Sequence, residues 1–482
     1  MARFNTVAER PSGATNLAGG EAYAESPKLE LISLILTSLV QDQFYRKADD
    51  GITRVAELLK QVEPEFAAKA AVFARQEYGM RSISHVVAGE LGRYASGAKW
   101  KRAFYTAVVR RPDDVTEILA YWKSRGGKKI PSAMKYGLAS AFDKFDDYQI
   151  AKYKGEGRGI KLVDAVNLLH PRPTDKNRTA LSLLVKGELK ATETWEAKLS
   201  AAGKNDEEKE GAWRSLLVER RLGYMALLKN LRNIVQQAPE LVPVACEQLR
   251  DEQAIRKSLV FPFRYITAMR EVEKLPGTQD VLRSLSAAAN VAVQNVPALP
   301  GKTLVAIDVS GSMAAPVAGN KDTSCADVAI MFGAALAQKG ADTLIFSNAA
   351  QYVSVRGRDL FGDIATIKQH ANPAGTNFHA IFQTADRAYD NIVILSDMQA
   401  WMRMDGLSRL GGNPRQSLSA YREKFSCNPR IYSFDLAGYG TLQFPEANVY
   451  CVAGFSDRVF DLMKELADDR QAMIRRIEAQ EF

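Results

Sequence analysis

Thr303-Leu304-Val305-Ala306-Ile307-Asp308, followed at once by Val309-Ser310-Gly311-Ser312, is the stretch from which the fold is read. Its apolar, β-prone run is strand-length, and it empties into a Gly/Ser loop as buried strands do at their carboxyl ends. An apolar helix follows over Ala326–Gln338. The alternation continues with strand Thr343–Phe346, helix Phe378–Tyr389, strand Ile392–Leu395 and helix Leu418–Phe425. Strands Arg430–Phe434 and Val449–Val452 and a last helix from Val459 complete it. Short buried strands alternating with helices predict a doubly wound, parallel α/β sheet. Upstream, Asn295-Val296-Pro297-Ala298-Leu299-Pro300-Gly301 is a proline-rich hinge, placing a boundary near residue 298 and two domains at 1–298 and 299–482.

Before the hinge the texture is helical. Ser26-Pro27 supplies a cap and a first-turn proline ahead of the apolar run from Leu29 to Leu39. Phe66, Ala70, Phe73 and Ala74 recur at helical spacing, with Gly79 where that helix should stop. Asp113-Asp114 opens a helix that runs out at Gly126-Gly127, and further helices are expected around Leu162–Leu169, Ala180–Leu189, Trp213–Asn230 and Val242–Leu249. Many helices joined by short turns imply stacked helix pairs, a HEAT-like solenoid.

Composition narrows the function classes. Hydrophobic residues make up 46% and charged residues 25% of 482, an ordinary globular balance that argues against extended disorder. Cys246, Cys325, Cys427 and Cys451 show no paired spacing, which argues against a zinc site or disulfide framework and suits a reducing cytoplasm. The longest apolar stretch, Leu31–Val40, is too short to cross a bilayer, so a soluble cytoplasmic chain with no membrane partner is expected. The net charge of +8 is uneven: residues 1–300 hold 46 Lys and Arg against 36 Asp and Glu, while residues 301–482 hold 18 against 20. The excess peaks at 101–200, with 20 against 12, the footprint expected for a polyanion. Within 152–178 stand Lys152, Lys154, Arg158, Lys161, Arg172, Lys176 and Arg178 against three acids. Such cations neutralise phosphates in a salt-sensitive way, and Tyr153 and His170 beside them suit base stacking or a 2′-hydroxyl contact.

The chemistry-bearing motif is Asp308-Val309-Ser310-Gly311-Ser312 at a strand's carboxyl end, where open α/β sheets bind ligands. Thr376 and Asp397 stand at later strand ends. Two carboxylates and three hydroxyls suit Mg²⁺ or another hard divalent cation. The set resembles the metal-ion-dependent adhesion site of the von Willebrand factor A fold, with all five positions filled. That resemblance implies recognition: an acidic group of a partner completes the coordination. Gly301-Lys302-Thr303 lacks the upstream glycine and following helix of a phosphate-binding loop, and Gly155, Gly157 and Gly159 follow no strand. His85, His170, His370 and His379 form no persuasive nucleophile constellation.

A helical array followed by this α/β domain is similar to the Ro family of RNA-binding proteins, which combine a TROVE domain with a von Willebrand A domain. The supporting strings run in order: Gly79-Met80-Arg81-Ser82-Ile83-Ser84-His85, Lys152-Tyr153-Lys154, Asn167-Leu168-Leu169-His170-Pro171, Ala226–Leu231, Phe261-Pro262-Phe263 and Asp308–Met313. The resemblance implies a bacterial-type member, a HEAT-like ring closed by the A domain, and no enzymatic activity. It also implies binding of small non-coding Y-type RNA and of single-stranded ends of misfolded RNAs, as a chaperone or scaffold in RNA quality control. An exoribonuclease such as polynucleotide phosphorylase, tethered through RNA, would supply the degradation. Carried over by its strings, RNA contact falls on Lys152 and His170, with Arg158 the basic residue after the Lys-Tyr-Lys string. Tyr153, Lys154, Lys161 and Arg172 lie beside them. The alternative is a protein-interaction module whose metal site grips an acidic partner.

Overall fold

In the computed structural model the described residues are 13–15, 21–24, 26–37, 49–154, 159–190, 199, 206–258, 260, 262–294, 298–315, 323–397, 415–436, 441–442, 449–452 and 472–482. Arg158, residues 295–297 of the hinge and the helix expected from Val459 lie outside them. The chain divides into two compact units, residues 27–201 with 474–482, and residues 1–26 with 202–473. The units do not coincide with the two expected segments, although the change from helices to strands does fall between Gln294 and Thr303.

The unit of residues 27–201 is built from α1 (Pro27–Thr37), α2 (Asp49–Leu58), α3 (Pro64–Glu77), α4 (Ser82–Glu90) and α5 (Trp100–Val108). It continues with α6 (Pro112–Ser124), α7 (Ser132–Ala141), α8 (Asp147–Lys152), α9 (Leu162–Leu169) and α10 (Arg178–Lys186). The odd helices α1, α3, α5, α7 and α9 stack in one row, and α2, α4 and α6 in a second, giving the stacked pairs that helix density implied. Gly79 takes φ +66° just past α3, a left-handed turn that costs a β-carbon-bearing residue and stops the helix.

Charge organises the middle of this unit. Asp114, fully buried at the start of α6, accepts from Arg75 (2.9 Å), Arg81 (3.0 Å), His85 (3.0 Å) and the backbone N–H groups of Arg110 (2.9 Å) and Arg111 (3.0 Å). Burial alone would raise this carboxyl, but its bond with His85 and the charges around it outweigh burial and hold it far below the usual carboxylate range. Asp113 pairs with Arg81 and, at 2.7 Å, with Arg111. The Gly79–His85 string is thus a structural device that fastens α4 to α6. The unit also takes in the carboxyl-terminal residues: Glu478 of α21 (Ala472–Glu478) pairs with Lys28 at 2.8 Å, and Phe482 stacks on Trp100 at 5.8 Å.

The other unit carries α11 (Asp206–Val218), α12 (Tyr224–Gln237), α13 (Val242–Leu249), α14 (Glu252–Ser258), α15 (Pro262–Val272) and α16 (Gln279–Gln294). The single helix expected over Trp213–Asn230 is two. Arg220 sits in the left-handed region (φ 51°), with Arg221 N–H bonded to the Leu216 carbonyl (2.9 Å) and Arg220 N–H to that of Leu217 (3.1 Å). This helix-ending turn usually carries glycine, and arginine there hid it.

The sheet begins at β3 (Thr303–Asp308), after the amino-terminal strands β1 (Gly13–Thr15) and β2 (Glu21–Ala24). It continues with β4 (Asp342–Phe346), β5 (Ala350–Tyr352), β6 (Asn391–Ser396), β7 (Arg430–Asp435) and β9 (Val449–Val452), in the order β5-β4-β3-β6-β7-β9. β8 (Thr441–Leu442) pairs instead with β2. Five strands run parallel; the edge strand β5 is antiparallel to β4, so the sheet is mixed where a wholly parallel one was expected. Three residues are too few to show a period in sequence.

α17 (Cys325–Ala337) covers one face, and Gly333 allows the approach, since a β-carbon there would stand 2.2 Å from Ile307 Cδ1. Leu304, Ala306, Leu344, Phe346, Ile392 and Ile394 pack with Phe378, Ile381 and Tyr421 in a separate core cluster. α19 spans only His379–Thr384, shorter than the expected Phe378–Tyr389. Ala385 and Tyr389 stay in that core without being helical; Tyr389 N–H donates to the Tyr421 hydroxyl (2.9 Å), so apolar spacing alone mimicked a longer helix. α20 (Arg415–Phe425) supplies Tyr421, and α18 (Leu360–His370) went unforeseen because Gly357 and Gly362 interrupt its pattern. α16 meets α18 through Asn290, whose side-chain oxygen accepts Leu360 N–H at 3.0 Å.

Candidate metal and nucleic-acid sites

Parallel pairing builds the candidate metal site. Ile307 of β3 lies opposite Leu395 of β6, so Asp308 comes level with Ser396, and Asp397 follows just past the strand end. Asp308 is fully buried, and one of its carboxylate oxygens accepts Ser310 N–H (2.8 Å) while the other accepts the Ser396 hydroxyl (2.6 Å). Ser310 and Ser312 hydroxyls stand 3.2 Å apart. Thr376 is held in position from both sides: Gly311 N–H bonds the Ala374 carbonyl (2.9 Å), and Asn377 N–H bonds the Ser347 carbonyl at the end of β4 (2.8 Å). Thr376, Asp397 and Ser310 are buried, whereas Gly311 and Ser312 are exposed, so the donor set opens to solvent at the Ser312 rim. Burial pushes the Asp308 carboxyl up to about 7; hydrogen bonds from Ser310 and Ser396 pull it down, and the Asp397 charge adds to the rise. Two buried carboxylates repelling at one strand end, ringed by hydroxyls, fit a hard divalent cation that would offset their charge. Ser396, which aims Asp308, escaped the sequence reading; its only signal was a hydroxyl closing an apolar strand. A cleft of about 210 Å³ adjoins the loop, lined by Val309, Phe346, Asn348, His370, Asn372 and Ala374 among others.

Each histidine beside this site has a partner within the fold. His379 is buried with Nδ1 2.8 Å from the Ser417 hydroxyl, and His370 Nδ1 lies 2.8 Å from the Thr366 carbonyl at the end of α18.

The basic candidates gather at the ends of α8, α9 and α10. Lys152 ends α8, and Leu162 N–H at the start of α9 bonds the Lys154 carbonyl (3.4 Å), drawing the two helix ends together. Lys161 precedes α9, where Asp164 accepts its N–H (2.9 Å), and His170 closes the helix in a left-handed conformation (φ 53°). Lys176 carbonyl accepts Asp147 N–H (2.9 Å), which brings the Arg172–Arg178 segment back to the start of α8. Lys152, Lys161, His170 and Arg172 are exposed; Lys154 is half-buried, with Nζ 3.4 Å from the Leu189 carbonyl. Tyr153 is half-buried, and the Arg111 guanidinium, itself pinned by Asp113, lies 4.6 Å from its ring centre. Sequence reading missed Arg111, which no local pattern connects to Tyr153.

Comparison with known proteins agrees with this architecture. The TROVE domain family matches residues 25–188 and 185–298, and the Ro60 vWA domain family matches residues 302–467. The chain is 22% identical over 348 residues to telomerase protein component 1 of Mus musculus, a match covering 52% of this chain but only 13% of that relative. It is 23% identical over 477 residues to the RNA-binding protein RO60 of Deinococcus radiodurans, covering 86% of this chain and 87% of that one. The crystal structure of the Deinococcus radiodurans RO (RSR) protein superposes with a TM-score of 0.61 at 18% identity, over 92% of this chain and 100% of the other. With both domain families matched in order and together spanning most of its length, the chain belongs to the Ro family of TROVE-domain proteins.

Proposed function

We propose that this protein binds small non-coding RNA of the Y type and the single-stranded ends of misfolded RNAs, as a non-catalytic chaperone or scaffold in RNA quality control. The observation that carries the reading is the exposed basic surface formed where α8, α9 and the segment before α10 meet, presenting Lys152, Lys161, His170 and Arg172. Lysine and arginine held at helix ends match phosphates of a polyanion, and their affinity comes from releasing its counterions. Nine residue steps along α9 separate Lys161 from His170 by about 14 Å, enough to engage more than one phosphate. Degradation falls to a separate exoribonuclease, such as polynucleotide phosphorylase, held through the RNA. We place the protein in a reducing cytoplasm, a reading supported by four cysteines without paired spacing in the sequence.

A salt titration with a structured RNA bearing a single-stranded tail tests the reading. With about six phosphates neutralised, affinity should fall roughly 10³-fold between 50 and 200 mM salt, and Lys152→Ala/His170→Ala should bind more weakly at every salt. A flat salt response rejects it.

The second reading, metal-dependent capture of an acidic partner, is favoured by the exposed Ser312 rim and the cleft beside it. Asp308, Ser310, Ser312, Thr376 and Asp397 would hold Mg²⁺, which when bound supplies a positive centre for a partner carboxylate. Hydroxyl donors offer no general base, so this chemistry serves recognition. Mg²⁺-dependent capture of a protein partner, lost in Asp308→Ala, would support it.

A further inference from the structure

Exposed apolar side chains are concentrated in the basic part of the chain. Among the described residues, four of the five large ones most open to solvent fall between 132 and 186: Tyr136, Tyr148, Leu168 and Val185. That span lies within residues 101–200, the hundred in which Lys and Arg exceed the acids most, and aromatic rings interleaved with cations are what an unpaired nucleic-acid strand requires.

The two tyrosines nearest the candidate RNA surface differ in one respect. Tyr153 already carries the Arg111 guanidinium at 4.6 Å and Lys152 Nζ at 5.7 Å from its ring centre. Tyr148 is 51% exposed, and among the described residues no ring or cation packs on it. On α8, Ile150 and Ala151 are buried, while Tyr148 and Lys152, four residues apart, share the solvent face roughly 6 Å apart at their β-carbons. The start of this helix is bonded to Lys176 and the segment beyond its end to α9, so the pair lies between the two halves of the basic segment.

We propose that Tyr148 and Lys152 form one nucleotide subsite, with an unpaired RNA base stacked on the Tyr148 ring and the adjoining phosphate paired with the Lys152 ammonium. The subsite rests on the RNA-binding reading above and sharpens it: cations alone hold duplex and single strand alike, whereas a stacking ring requires a base out of its helix.

The test uses the full chain and three variants, Tyr148→Ala, Tyr148→Phe and Lys152→Ala, each checked for an unchanged circular-dichroism spectrum. Binding is measured to one blunt RNA duplex and to the same duplex with a single-stranded uridine tail. Tyr148→Ala should bind the tailed RNA roughly ten-fold more weakly, leave the blunt duplex unchanged and keep the wild-type salt slope. Tyr148→Phe should retain binding, since the ring and not the hydroxyl stacks. Lys152→Ala should lower the salt slope by about one. Unchanged affinity for the tailed RNA in Tyr148→Ala overturns the subsite, as does equal loss for both RNAs. So does concentration-dependent association of the wild-type protein that Tyr148→Ala abolishes without affecting RNA, which would mark a protein contact. A wild-type protein with no salt-dependent RNA binding would instead sink the broader reading.

Discussion

Replacing Asp114 with alanine tests how the buried charges hold the α4–α6 region together. The change removes the acceptor for Arg75, Arg81, His85 and two backbone N–H groups at once. Arg75 and His85 are 7% and 2% exposed at their side chains, so neither regains full hydration in the folded state. Removing one partner from a buried ionic cluster costs about 3–5 kcal/mol, because the remaining charge is stranded. At 1.4 kcal/mol per tenfold, local opening should become roughly 10²- to 10⁴-fold more populated. Amide hydrogen exchange read by mass spectrometry on peptides covering 82–90 and 112–124 measures this directly, and peptides from β3 and β6 serve as internal control. Removing Arg75 as well, in Arg75→Met/Asp114→Leu, should cost less than Asp114→Ala alone, since the more deeply buried guanidinium is then no longer stranded and Arg81 keeps Asp113. Exchange in α4 and α6 changed by less than tenfold in Asp114→Ala would refute the reasoning. So would a double variant more damaged than the single one.

Two further outcomes are expected. Asp327 joins α15 to α17 and α18, pairing with Arg270 (2.9 Å) and Lys368 (2.5 Å). Partial burial would raise its carboxyl, but Lys368, the Ser324 N–H and Arg270 outweigh burial and hold it near about 2. Its folded value lies below the unfolded one, so its contribution of about 1–2 kcal/mol, discounted for the exposed cations, is complete above about pH 4 and disappears as pH falls through about 2. Urea unfolding of wild type and Asp327→Asn should therefore differ at pH 7 and converge toward pH 2; a gap unchanged by pH contradicts the assignment. At the candidate metal site, Mg²⁺ at a hundredfold excess over its dissociation constant should stabilise the unit of residues 1–26 and 202–473 by about 2.7 kcal/mol. Calorimetry with Asp308→Ala should show no such gain, and an equal gain in both proteins would place the cation elsewhere.

Much of this molecule was legible in its sequence because its cues are local. Thr303–Asp308 reads as a buried strand from six consecutive residues, and the strand at 391–396 from a similar run. Helix limits were readable where cap chemistry is conventional, as at Pro27 and Gly79, and Leu162–Leu169 and Val242–Leu249 emerge as expected. The break at Arg220 was not readable, because a left-handed arginine leaves no compositional mark. The three-residue edge strand was too short for any period, and the Phe378–Tyr389 pattern reflected shared burial more than shared helix.

Sequence alone therefore determined most element types, the regional basic charge, the family strings and the five candidate oxygen donors. Each of these rests on residue identity and near-neighbour spacing. Only tertiary structure decided that Ser396 aims Asp308 across 88 residues, that Asp114 gathers Arg75 of α3 and His85 of α4, and that the carboxyl-terminal residues pack with the first helices. The same holds for the contrast between the two tyrosines, one already occupied by Arg111 and one left open to solvent. Contacts of this kind depend on which surfaces the fold brings together, and no local pattern in the chain encodes a partner so distant.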